Sequence, residues 1–139
     1  MTLFEVVHVV HVLAAVVGTG CAAAVAVTAR GAVRSPEALA SSSFAPLLRW
    51  ATRGIGTAFL AGVALDLVSG GAFHDRWWFR LAALSTIAAS ILLWVIYRRV
   101  RRVASGQGSP DTLTSAPSLA WVALAILTVV VVLMDVRPF

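Results

Sequence analysis

Four long apolar runs, separated by shorter polar stretches, limit what this chain can become more than any other feature of its sequence. They cover about residues 3–29, 50–68, 80–100 and 118–136. Each is close to the ~20 residues that a helix needs to cross a hydrocarbon core about 30 Å thick. The fourth run ends in the β-branched stretch VVVVLM. An open strand would leave its backbone unsatisfied in lipid, so a helix is predicted there too. The expectation is an all-α fold: four transmembrane helices forming one integral membrane domain over residues 1–139. Composition agrees, with 60% of residues hydrophobic and 12% charged, against about half and a quarter in soluble domains. So small a domain cannot hide that excess in one core. The lipid bilayer must cover it, which predicts a multi-pass protein of the cell membrane. The first run is expected to stay as a helix, not to be cleaved as a leader. Its start, MTLFE, has no basic segment and carries Glu5.

All eleven basic residues are arginines, and the formal net charge is +5. The arginines flank the apolar runs, where they read as topology signals and not as a nucleic-acid surface; no nucleic-acid partner is expected. Arg30, Arg34, Arg49, Arg53, Arg98, Arg99, Arg101 and Arg102 share one side; Arg76, Arg80 and Arg137 share the other. The positive-inside rule puts the first group in the cytoplasm and both termini outside, N-out and C-out. The YRRVRR cluster also suits anionic lipid. Ser35-Pro36-Glu37 reads as the start of a short interfacial helix. SGGAFHDRWW reads as a tight turn with Trp77 and Trp78 at the lipid interface, and VASGQGSPDTLTSAPS as a flexible linker. The single Cys21 excludes an intramolecular disulfide and a CxxC metal site. Among alanines in mid-bilayer it reads as an inert apolar group.

Polar residues gather at the end that carries the termini. The run FEVVHVVHVLAAVVGTG holds His8 and His11 near the start of the first helix. Asp66 falls near the end of the second, Arg80 opens the third, Asp135 closes the fourth, and His74, Asp75 and Arg76 lie in a loop between. On the first helix His8, His11, Ala15, Gly18, Ala22 and Ala26 share a face; on the second Gly54, Ala58, Gly62 and Asp66 recur every four residues. Small residues so spaced let membrane helices approach closely, so both rows are expected to face the bundle. Ionisable groups at their ends are functional candidates by default, set against plainer roles. His8 and His11 reach headgroup water, Asp66 pairs with Arg80 or Arg76, and Met134 packs. In the chemical readings, one histidine binds a haem iron from one side, or His8, His11 and Asp66 hold a copper or zinc ion. Two histidines on one helix face cannot both be axial ligands of one haem. No set of nucleophile, base and orienting group is visible, and no phosphate-binding loop.

The stretch His11-Val-Leu-Ala-Ala-Val-Val-Gly-Thr-Gly20 resembles the first-helix pattern of the copper-resistance D-type membrane domain. It is also similar to the four-helix bacterial protoporphyrinogen IX oxidase family. In that family a valine-rich last helix closes with Val-Lys-Pro-Phe, where this chain has Val136-Arg137-Pro138-Phe139. An aromatic turn there leads into a lysine, where DRWWFR delivers Arg80. The resemblance spans nearly the whole chain by pattern and spacing. It implies a haem b site with His11 as ligand and Arg80 in the place of the functional lysine; copper handling is implied by the first relative alone. The family's Trp-Phe-Ala-Gly stretch and the later Pro-Arg of its first helix are missing here. The third helix carries Trp94 and no histidine. These departures argue against the oxidase activity itself. Three functions stay open at this point. They are haem or metal binding for membrane redox chemistry, an accessory subunit packing against itself or another membrane protein, and a small transporter with Asp66, His8 and His11 as a proton relay.

Overall fold

The computed structural model describes residues 1–34 and 44–136. They form α1 (Leu3–Arg34), α2 (Phe44–Val68), α3 (Trp77–Ala104) and α4 (Ala116–Val136), with a 3-10 turn at Pro110–Leu113 ahead of α4. No strand occurs among the described residues. Each of the four helical segments is long and apolar enough to cross a membrane, as the four runs predicted. α2 and α3 begin earlier than expected, at Phe44 and Trp77. Pro46 and Pro117 lie in the first turns of α2 and α4, where a missing N–H breaks no helical hydrogen bond. α1 opens with a reciprocal cap. The Thr2 N–H donates to Glu5 Oε2 at 2.8 Å and the Glu5 N–H to Thr2 Oγ1 at 3.3 Å.

The helices close into a ring in which α1 and α3 each pack between α2 and α4. Backbone meets backbone where α1 crosses α2. A Cβ on Gly54 would lie 2.6 Å from Gly18 Cα, and one on Gly18 would lie 2.6 Å from the Ile55 nitrogen. The α2 row faces inward as expected, with Gly54, Ala58, Gly62 and Asp66 buried; of the α1 row Gly18, Ala22 and Ala26 are buried, His11 and Ala15 are half-buried, and His8 is exposed.

The core occupies the half of the bundle away from the N-terminus. It runs through Ala22–Ala29 of α1, Phe44–Ile55 of α2, Ala89–Val100 of α3 and Leu113–Leu127 at and after the 3-10 turn. The alanine face of α1 leaves room for Leu48, Leu93 and Ile96, which are fully buried. Cys21 packs against this core, in keeping with a small apolar role.

Two expectations need correction. The stretch before α4 is not simply a flexible linker. Leu113 is inserted into the core with 1% exposure, and Arg99 donates to the Thr112 carbonyl at 3.3 Å and to Ser115 Oγ. One apolar side chain and one guanidinium thus pin a segment whose composition suggested mobility. Trp77 is exposed as an interfacial residue would be, but Trp78 is buried and packs against Phe73 and Phe79. Adjacent residues on a helix point about 100° apart, so one can face lipid and the next the bundle. The interfacial helix expected at Ser35-Pro36-Glu37 lies outside the described residues, as do Arg137, Pro138 and Phe139.

Candidate functional site

The half of the bundle nearer the N-terminus is not filled. Its four helices line a half-open cavity of about 690 Å³. Its walls include the start of α1 (Phe4, His8, His11), the later part of α2 (Ala58, Phe59, Gly62), the first turns of α3 (Trp78, Phe79) and the end of α4 (Val130, Met134, Asp135). That lining places the start of α1 and the end of α4 at the same end of the bundle. Cavities of roughly 300–1,000 Å³ with apolar walls and a few convergent polar groups are typical small-molecule and cofactor sites.

His11 is the polar group best fixed in this cavity. Its Nδ1 lies 2.8 Å from the carbonyl oxygen of Ala58. A carbonyl can only accept, so Nδ1 is the donor, which leaves Nε2 as the ring nitrogen available to a ligand. Gly62 gives the ring room for this contact. It stands one turn beyond Ala58, and a Cβ there would lie 3.2 Å from His11 Cε1. Without a side chain at position 62 the imidazole can lie against α2 and reach a carbonyl already inside the helix. Among the described residues Nε2 has no hydrogen-bond partner, and it is not fully buried. His11 lines the cavity, so this nitrogen is the one a ligand there would meet.

The other sequence candidates are placed differently. His8 lines the cavity mouth, is exposed, and stacks on Phe4 with ring centroids 6.1 Å apart. Asp66 is buried, but it faces the α2–α3 loop and does not line the cavity. Its Oδ1 accepts from the Phe73 N–H at 2.8 Å and the His74 N–H at 3.0 Å. Its Oδ2 lies 3.6 Å from His74 Nδ1. Gly70 and Gly71, at φ of +73° and +80°, turn the chain back toward this carboxylate. Arg80 pairs with Asp75 at 3.1 Å and donates from Nε to the His74 carbonyl at 2.8 Å. It does not line the cavity either. Asp66 and Arg80 therefore do not pair with each other; both hold the loop. Among the described residues, no three His, Cys, Asp or Glu side chains are grouped to hold a metal ion. The set His8, His11 and Asp66 is not brought together, because loop amides engage the carboxylate.

Sequence reasoning missed the Ala58 carbonyl and Met134 as parts of the site. A backbone acceptor has no residue signature, although the glycine at position 62 marked where one would be uncovered. No protein-family model, curated protein or solved structure matches the chain.

Proposed function

We propose that this protein is a small membrane haem protein, with haem b held in the four-helix cavity through Nε2 of His11. One observation carries the reading: the bond from Nδ1 to the Ala58 carbonyl orients the ring and leaves Nε2 free. Ligating histidines commonly donate their other N–H to a carbonyl or carboxylate, which fixes the tautomer and raises ligand basicity. The cavity's volume, about 690 Å³, and its walls of aromatic and aliphatic side chains suit a flat apolar macrocycle. His8 puts a polar group at its mouth. Bound there, the group supplies one-electron chemistry, with its potential tuned by axial ligand and burial. The chain's own part is to present Nε2, to hold the ring against α2, and to line the pocket with apolar side chains.

A copper or zinc centre is supported less well. The described residues offer no third ligand grouped with His8 and His11. The arginine distribution supports a cavity opening toward the non-cytoplasmic side, because eight of eleven arginines lie toward the other end. The many exposed apolar side chains on all four helices fit lipid contact, with a second copy or another membrane protein as further candidates.

The test is direct. The protein is purified in detergent from haem-sufficient cells, and its Soret absorbance is measured for the unaltered chain, His11→Ala and His8→Ala. The expected result is a Soret band that His11→Ala abolishes and His8→Ala largely spares. No Soret band, or one that survives His11→Ala intact, overturns the reading.

A further inference from the structure

His11 accounts for one face of the iron. We propose that Met134 supplies the ligand on the other face, giving a histidine–methionine pair; this rests on the haem reading above. Besides His11, the cavity walls carry an imidazole, thioether or carboxylate only at His8, Met134 and Asp135. His8 sits one turn before His11 on the same face of the same helix, so it cannot approach from the opposite side. Asp135 is exposed at the mouth. The hydroxyl of Thr86, another wall residue, is committed to the Ala82 carbonyl at 2.8 Å. Met134 is half-buried and comes from a different helix.

The geometry of the bundle favours this pairing. α1 packs between α2 and α4. His11 lies against α2, so α4 is the neighbour on the other flank. The start of α1 and the end of α4 line one cavity, so the two helices run in opposite directions. Every Cα–Cβ bond tilts toward the N-terminus of its own helix. The His11 ring rests between Gly62 and the Ala58 carbonyl, and the Met134 side chain leans back into the bundle toward that depth. Their positions differ in depth, and the tilt of Met134 narrows the difference. A thioether on three rotatable bonds adapts readily to the remaining distance. The only other methionine, Met1, is 93% exposed, so the cavity has a single candidate sulfur.

Histidine–methionine ligation raises the haem potential and gives the ferric form a weak near-infrared sulfur-to-iron charge-transfer band. The experiment compares ferric spectra and potentiometric titrations of the unaltered protein, Met134→Leu and Met134→His. The unaltered protein should show the band. Met134→Leu should keep the Soret band, lose the near-infrared band and titrate at a lower potential. Met134→His should also lose that band and shift to lower potential while staying low-spin. Where Met134→Leu fails to fold by circular dichroism, Met134→His carries the test alone. An unaltered protein with a Soret band but no near-infrared band, or variants that change neither band nor potential, overturns the sulfur ligand and leaves the haem reading standing. A protein with no Soret band overturns both.

Discussion

Gly18 of α1 and Gly54 of α2 cross with their backbones in contact: a Cβ on Gly54 would stand 2.6 Å from Gly18 Cα and 2.7 Å from its nitrogen. Neither helix can yield without opening the ring, because the atoms met are backbone. Gly54→Ala should therefore destabilise the bundle by about 1–3 kcal/mol, the usual cost of overpacking. Gly20→Ala is the control. Nothing lies within 4 Å of a Cβ there, and alanine is favoured over glycine by roughly 0.5–1 kcal/mol inside a helix. Thermal unfolding in detergent should show Gly54→Ala melting earlier and Gly20→Ala at or above the unaltered protein. Equal melting for the two alanine variants would refute the close crossing.

The loop between α2 and α3 depends on one carboxylate. Asp66 Oδ1 accepts from the amides of Phe73 and His74, and the residue is 8% exposed. Removing an acceptor that leaves partly buried donors unpaired costs about 1–3 kcal/mol. Asp66→Ala should lose that much stability and speed hydrogen exchange at the Phe73 and His74 amides. Asp66→Asn keeps an oxygen in the acceptor position, so exchange there should stay slow. If Asp66→Ala leaves both amides protected, the carboxylate is not what orders the turn.

Membrane orientation is tested by reporters. A reporter active only outside the cytoplasm should be active after Phe139 and silent when inserted near Ser105. The reason is the eight-to-three arginine split read from the sequence. The reverse pattern would turn the cavity toward the cytoplasm.

These tests also show which parts of the molecule the sequence makes readable. Hydropathy runs are a bulk property, so four helices follow from them with only their ends misjudged: α2 gains a turn and a half before residue 50 because Phe44 and Leu48 are core residues. The four-residue spacing of Gly54, Ala58 and Gly62 was equally readable, since small side chains at one helical face have few other uses. What escaped was contact with backbone. His11 was weighed as a metal ligand beside Asp66, yet its hydrogen-bond partner is the Ala58 carbonyl. Asp66 was weighed as a partner for an arginine, yet it binds loop amides. Peptide groups are the same at every position, so no residue type announces them. Met134 escaped for a different reason. α4 is apolar on nearly all faces, and periodicity cannot say which of its residues looks into the cavity.

The contact between His11 and Gly62 yields the sharpest test of the site, because it does not depend on any cofactor. A Cβ at position 62 would lie 3.2 Å from His11 Cε1 and 3.5 Å from Nδ1. A single methyl therefore crowds the ring by a few tenths of an ångström. Gly62→Ala should be tolerated, with the imidazole displaced slightly and its bond to Ala58 lengthened but kept. Valine places branched volume directly at Cβ, where the ring now lies. Gly62→Val should push the imidazole off α2 and break the bond to the Ala58 carbonyl. That carbonyl still accepts from the amide four residues on, as in any helix. The loss thus falls on His11, at about 1–3 kcal/mol for an unpaired polar group, with steric strain of similar size added. Nitrogen-15 spectra of the histidine side chains should show a slowly exchanging Nδ1–H for His11 in the unaltered protein and in Gly62→Ala. The same signal should be absent in Gly62→Val. A protected Nδ1–H that persists with valine at position 62 would mean that the imidazole does not rest on Gly62, and the site would lose the anchor that orients its one free nitrogen.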